Sequence, residues 1–443
     1  MQPIHLVWFR QDLRLFDNPA LQEASRLGRV LPIYIRDPEA GAASQSWVTQ
    51  SLSQLNKHLS NHLRIFEGQP LEIIQRLIRS EQISGVFWNR RYDPIGLQQD
   101  KVLKHTLREQ GIRCDTFNAS LLFEPWQTQK KDGTPYRVFT PFYRNLSAES
   151  PPPRKPLPAP KQLQLHWISP EKELEALPAW ALKVAQYWTP GEDGAQQTWD
   201  RFCNSKLSAY ELNRDYPALS ASSCLAPYLH FGEISPNAIW WDIHEPNHPF
   251  IRQLIWREFA HSILFDHPHT ACENYQSAFD SFPWQDSSPL LERWQKGLTG
   301  IPLVDAGMRE LWETGTMHNR VRMVVGSFLT KNLLIHWKRG LEWFSDCLVD
   351  ADLANNAMGW QWVAGSGVDA APFFRIFNPT TQAKTFDPAG EYIKRFVPEL
   401  RHLTIAELFE PWKSKHPPRT YPKPVVDLAE SREKALRYYK QLR

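Results

Sequence analysis

Five short apolar runs, at residues 4–9, 30–35, 63–66, 85–88 and 113–117, alternate with helical patterns at 46–63, 70–80 and 94–111. This alternation restricts the fold more than any other feature. Strands separated by helices pair in parallel, and the helices must then cover both faces of the sheet. A dinucleotide-binding fold is the obvious rival, but it requires G-x-G-x-x-G directly after the first strand. Here the first run leads instead into Trp8-Phe9-Arg10-Gln11-Asp12-Leu13-Arg14-Leu15-Phe16-Asp17-Asn18-Pro19-Ala20. Read by itself, that string is a charged turn in which Asp17 or Asn18 caps the next helix.

From about residue 130 to 189 the chain changes character. The prolines from Pro151-Pro152-Pro153 through Pro160 exclude helix and central strand. After about Thr198 strand signals fade and long helical patterns take over. The expected architecture is an α/β parallel-sheet amino-terminal domain at 1–128, an inter-domain linker at 129–195 and an all-α domain at 196–443, with no internal repeat. A chain of 443 residues is long enough for two or three domains. Its composition, 42% hydrophobic and 22% charged, is that of a globular protein in water. No signal peptide or membrane-spanning apolar run is read. The five cysteines, 114, 203, 224, 272 and 347, are scattered and form no C-x-x-C. Such a set argues for reduced thiols in a cytoplasmic protein and against a disulfide framework or a metal site. A net charge of +3 allows a local basic face for a polyanion without demonstrating one. The 19 tryptophans exceed what packing alone calls for, which points weakly to stacking or redox roles.

The chemistry concentrates in Asp350-Ala351-Asp352-Leu353-Ala354-Asn355-Asn356-Ala357-Met358-Gly359-Trp360-Gln361-Trp362 and, upstream, in Met317-His318-Asn319-Arg320-Val321-Arg322-Met323. On a helix Asn319, Arg322 and Met323 share one face. An Arg and an Asp in such apolar surroundings are buried only if paired. Together these stretches predict a polar pocket in a helical core, lined by indole rings. Ser222-Ser223, read as opening a helix, could hold a phosphate, although Ser in that position is usually just a cap.

These stretches are flanked in order by Gly300-Ile301-Pro302-Leu303-Val304-Asp305-Ala306-Gly307-Met308-Arg309 and Phe374-Arg375-Ile376-Phe377-Asn378-Pro379. The ordered set resembles the flavin pocket of the photolyase/cryptochrome family, and the Trp8–Ala20 string is similar to that family's opening motif. The resemblance implies an all-α FAD-binding domain. Tyr210, Ser222, Ser223 and Leu225, in the segment with Cys224 and Ala226, would contact the FAD phosphates and adenine side. Ala226 stands where a Ser often adds a phosphate contact. Arg257 would lie near the diphosphate. Arg322 would pair with Asp350 across the isoalloxazine face, and Asp350 and Asp352 would flank the ribityl chain and the polar ring edge. Asn356 would face flavin N5, where plant cryptochromes typically carry Asp. Trp360, Trp337 and Trp284 match the family's electron chain from flavin to surface.

On the substrate side, the resemblance assigns Trp256 and Trp362 to cradling a flipped-out pyrimidine dimer, with Met323 and Asn319 beside it. Arg214, Arg320, Arg375 and Gln382 would meet DNA phosphates or flanking nucleotides. One departure matters: Gln253 stands where cyclobutane-dimer enzymes usually carry Glu. The (6-4) enzymes carry Gln there, but they place His where this chain has Asn319 and Met323. The implied function is therefore light-driven repair of cyclobutane pyrimidine dimers by electron transfer from reduced FAD, the activity of a bacterial deoxyribodipyrimidine photo-lyase of class I/III type, a carbon–carbon lyase. A cryptochrome that senses blue light without repair, and (6-4) repair, are the alternatives. The expected partner is damaged DNA, and the expected state is a monomer. An antenna chromophore, folate or deazaflavin, would sit near Asn89-Arg90-Arg91-Tyr92-Asp93-Pro94; its identity or absence stays open.

Overall fold

The computed structural model describes residues 2–37, 40–243 and 245–442. The alternating part forms one parallel sheet of β1 (Ile4–Phe9), β2 (Arg29–Ile35), β3 (Arg64–Phe66), β4 (Ile83–Asn89) and β5 (Arg113–Phe117), in the spatial order β3-β2-β1-β4-β5. Helices α1 (Pro19–Leu27), α2 (Ala42–His58), α3 (Pro70–Glu81) and α4 (Pro94–Glu109) fill the connections. Helical cover on both faces leaves β1 buried along all but its first residue. One face packs Leu6, Trp8, Ile33 and Trp88 against Ile74 and Leu77 of α3 and Leu103 and Leu107 of α4.

Of the two caps expected for α1, Asn18 is the one used: its side chain accepts from Leu21 N at 3.1 Å, and Pro19 follows at the first helical position. Asp17 takes a left-handed φ of 51° and turns inward, where it pairs with Arg154 and accepts from Leu157 N at 2.8 Å. The proline-rich stretch forms no helix from 150 to 178 and meets the sheet through isolated bridges from Leu165 to Val30 and Lys172 to Ile65.

The chain divides into two compact units, residues 1–201 with 224–268 and residues 202–223 with 269–443. These divisions do not coincide with the expected boundaries at 128 and 195. The Pro249–Asp266 helix belongs with the sheet unit for a physical reason. Its buried Glu258 accepts from Leu122 N at 3.0 Å and Phe123 N at 3.2 Å, and its Trp256 lies flat on Phe139 with ring centroids 3.5 Å apart.

The second unit contains no strand among its described residues. Its core gathers Val304 and Met308 of Pro302–Thr314, Val321 and Val325 of Asn319–Ser327, Trp337 of Trp337–Cys347, and Trp360 of Leu353–Ala364. The Gly300–Arg309 string owes its pattern to Asp305. Wholly buried, Asp305 accepts from Thr299 N at 2.7 Å and Gly300 N at 2.9 Å, tying the loop to the helix it precedes. No described helix is long and apolar enough to cross a membrane.

In the sheet unit, Glu233 accepts from the Trp47 indole at 3.0 Å and from Gly191 N at 2.9 Å, and burial pushes its carboxyl up from the ordinary 4.5 to about 8. The folded state thus holds a proton that the unfolded chain releases near 4.5. The associated stability is fully present below that pH and is lost as pH rises through about 8, at a slope of up to about 1.4 kcal/mol per pH unit. Denaturant titrations between pH 5 and 8.5 should show this fall, and Glu233→Gln should flatten it. An equal slope in both proteins would contradict the assignment.

Candidate functional site

His318 starts the Asn319–Ser327 helix: its Nδ1 accepts from Arg320 N at 3.2 Å. Burial pushes its imidazole down to about 4, so at neutral pH the ring is uncharged and can accept. The helix buries Val321, Val324 and Val325 and leaves Asn319, Arg322 and Met323 on the accessible side, the shared face expected from their spacing. Arg322 Nη2 spans both oxygens of Asp350, at 2.8 and 3.1 Å, while its Nε donates to Met317 O at 2.7 Å. The Asp350 side chain is 5% exposed and that of Arg322 26%. The carboxylate is thus the buried anchor, and the guanidinium keeps one flank open.

Asp352 caps the Leu353–Ala364 helix, accepting from Asn355 N at 2.8 Å and Asn355 Nδ2 at 2.7 Å. One turn in, Asn356 Nδ2 donates to Ser345 Oγ at 3.1 Å, which sets the direction of its amide. Trp360 lies a further turn along on the buried side, edge-on to Phe344 at 4.9 Å and Trp294 at 6.1 Å. It fits only because residue 340 is glycine: a Cβ there would stand 2.1 Å from the indole. Trp337 is fully buried in the same cluster, and Trp284 packs on that cluster partly exposed. The His336 ring lies 5.0 Å from Trp284 and 5.5 Å from Trp337. The three tryptophans therefore share one apolar body, with Trp284 at its accessible edge.

In the same unit Tyr210 is buried, and Ser222 and Ser223 are half-buried. The Ser pair does not open a helix. Cys224 takes a φ of 58°, Leu225 is the N-cap, and the five-residue helix begins only at Ala226, with Pro227 second. Arg320 pairs with Asp215 at 2.9 Å and stacks over Phe386, and Arg214 lies over the Tyr210 ring. Both guanidiniums are therefore held within the fold. Arg375 is exposed, Trp362 is half-buried beside Phe377, and the buried Gln382 Oε1 has no partner among the described residues.

In the sheet unit, the Arg257 guanidinium donates to Ser120 O at 2.6 Å and Leu229 O at 3.4 Å, so a diphosphate would have to compete with main-chain carbonyls. Gln253 is half-buried, its Nε2 donating to Pro249 O at 3.3 Å. Between Asn89 and Pro94, Arg90 pairs with Glu124, Arg91 binds Asp93 at 2.7 Å and Asp37 at 3.1 Å, and Asp93 caps α4.

Gly340, Gln361, Asn274 and His336 did not stand out in the sequence. Gly340 carried a usable signal, since a lone glycine inside a helical pattern often marks close packing. Gly340→Ala should force the Trp360 indole aside and cost about 1–3 kcal/mol. Thermal unfolding and near-ultraviolet circular dichroism would register both effects, and Trp360→Leu should relieve the clash in the double variant. An unchanged spectrum and melting temperature would contradict the contact.

Similarity to known proteins agrees with this geometry. Residues 5–161 match the family described as DNA photolyase, and residues 250–441 match the FAD binding domain of DNA photolyase. The chain is 44% identical to the deoxyribodipyrimidine photo-lyase of Agrobacterium fabrum, over 98% of this chain and 97% of that one. It is 35% identical to cryptochrome-2 of Arabidopsis thaliana, over 97% of this chain and 77% of the plant protein. Among solved structures, a bacterial class III photolyase from Agrobacterium tumefaciens superposes with a TM-score of 0.95 at 44% identity, covering 100% of this chain and 98% of that one. The residues present also fit FAD. A guanidinium open on one flank and fixed by a buried carboxylate, with an oriented amide in the same unit, suits a planar ring with a polar edge. With both halves matched and the sequence aligned almost end to end, the chain belongs to the DNA photolyase family.

Proposed function

We propose that this chain is a light-driven lyase that splits cyclobutane pyrimidine dimers in DNA. The observation that carries the reading is Asn356, held by Ser345 one turn before the buried Trp360 and on the same unit as the Arg322–Asp350 pair. Reduced FAD, when bound, supplies the excited electron and takes it back. Arg322, anchored by Asp350, orients the ring, and the Asn356 amide can hydrogen-bond either of its redox forms. Asp352 closes the first turn of the helix that carries Asn356, so its part in cofactor binding includes fixing that turn. Trp360, Trp337 and Trp284 carry electrons inward when the cofactor must first be reduced.

On the substrate side, the indoles of Trp256 and Trp362 offer π-faces for stacking flipped bases, worth about 1–3 kcal/mol per base. Trp256 is stiffened for this by its flat contact with Phe139. Met323 and Asn319 complete an apolar and a polar contact. Arg375 is the most available partner for a phosphate, whereas Arg214 and Arg320 act through the surface they order with Tyr210 and Asp215. Working in the cytoplasm as a monomer, with an antenna chromophore bound by the sheet unit, is part of the same reading.

Gln253 offers both an acceptor oxygen and a donor NH₂ but no exchangeable acid. It can hold the dimer without supplying a proton to the reduced lesion. The test uses ultraviolet-irradiated oligothymidine, chemically reduced holoprotein and blue light, followed by recovery of thymine absorbance. The wild type should repair the dimer, and Gln253→Glu should raise the yield per absorbed photon. Repair of (6-4) lesions alone would mean that Gln253 marks the substrate. Absence of repair on either lesion would make the chain a light sensor of the cryptochrome kind.

A further inference from the structure

The Trp337 indole is wholly buried, and its N–H donates to Asn274 Oδ1 at 2.7 Å. Asn274 donates in turn from Nδ2 to Asp280 Oδ1, also at 2.7 Å. Asn274 is buried and Asp280 exposed, so a two-bond relay runs from a core indole to a surface carboxylate. Its direction is set by chemistry: the indole is a donor only, so the amide must present its oxygen to Trp337 and its NH₂ to the carboxylate.

The segment that carries Asn274 is held from the helix that carries Trp360. The buried Gln361 side chain accepts from Tyr275 N at 2.9 Å and donates to Thr270 O at 2.8 Å and Glu273 O at 2.9 Å. Gln276 adds bonds to the carbonyls of Gly365 and Gly367, at 3.4 and 3.0 Å, just past that helix. Both ends of a buried amide are thus committed to a surface segment whose inward-pointing residue meets one indole.

An indole that loses an electron becomes a cation, and its N–H becomes strongly acidic. A carboxylate beside it would take the proton and leave a neutral radical. An amide oxygen polarised by a carboxylate behind it stabilises the positive charge but cannot keep the proton. We infer that Asn274, backed by Asp280, holds oxidised Trp337 as an N-protonated radical cation, so that the hole passes on to Trp284 and is not trapped by proton loss. The inference rests on the electron route through Trp360, Trp337 and Trp284 proposed above. The balance is simple: one electron leaves Trp337 toward Trp360, one enters it from Trp284, and the Trp337 N–H bond neither breaks nor forms.

The neighbouring imidazole does not oppose this. His336 Nδ1 accepts from Lys338 N at 3.1 Å, and burial pushes the ring down to about 4, so at neutral pH this ring adds no positive charge beside the two indoles. Asn274 touches no substrate, cofactor or reacting carbon. It is a positioning residue that acts through Trp337.

Transient absorption on flavin-loaded protein distinguishes the protonated tryptophan cation from the neutral radical, and nuclear magnetic resonance of ¹⁵N-indole-labelled protein reads the Trp337 N–H directly. Asn274→Leu should move that resonance upfield and slow photoreduction at least about tenfold, the effect of losing one hydrogen bond to a developing charge. Asn274→Asp should yield the neutral radical early, and its photoreduction should become indifferent to a further Trp284→Phe change that slows the wild type. Asp280→Asn, on the exposed surface, should shift the same resonance in the same sense by less. Flavin content and far-ultraviolet circular dichroism check that each variant is folded. If Trp337→Phe slows photoreduction while neither Asn274 variant alters the radical or its rate, the role of Asn274 is overturned. If Trp337→Phe itself leaves photoreduction unchanged, the tryptophan route falls and the inference with it.

Discussion

Gly340 gives the Trp360 indole room to lie against a neighbouring helix, at a separation that one methyl group would close. That contact fixes the rotation of the Leu353–Ala364 helix about its own axis, and much of the helical unit follows from it. With Trp360 locked inward, Asn356 falls one turn earlier on nearly the same face, beside Ser345. Gln361 turns toward the 270–276 segment and holds it, and Trp362 is left half-buried next to Phe377. The helix is stopped at both ends, by the Asp352 cap and by Gly365 with a φ of 90°, so it cannot slide by a turn to relieve strain.

Three buried carboxyl groups share one pattern: each is fixed by donors and in turn fixes a loop or a side chain. Asp305 ties the turn before its own helix, Glu258 gathers the main chain at Leu122 and Phe123, and Asp350 anchors Arg322. Removing Arg322 would leave Asp350 as a charge that burial alone would not tolerate. Of these three, Asp350 is the one whose partner, Arg322, keeps an open flank beside the start of the helix that carries Asn356, which is why it reads as a site and the other two as scaffold.

The strand–helix alternation was legible because each run carries its own period, and β1 and β5 lie where that period places them. The order β3-β2-β1-β4-β5 was not legible, since strand pairing is a relation between distant segments. The Arg322–Asp350 pair could be read from the cost of burying either charge alone. Arg257 and Arg320 could not be resolved in the same way. An Arg looks identical in sequence whether it meets a ligand or, like these, a carbonyl 137 residues away or a carboxylate in a distant turn. Ser222 and Ser223 looked like a helix start because Ser favours that position. The left-handed backbone at Cys224 moved the true start beyond them, and no residue type announces that turn at a cysteine. The tryptophans were visible as candidates, but Asn274 was not, because a lone Asn in a loop carries no period and no charge.

The account stands most directly on the light dependence of dimer splitting. An action spectrum, taken on reduced holoprotein with dimer-containing DNA and normalised to absorbed photons, should follow the absorption of the protein-bound reduced flavin, with an added band if an antenna chromophore is present. Splitting that occurs equally in the dark, or that follows only the absorption of the protein's aromatic side chains, would contradict it.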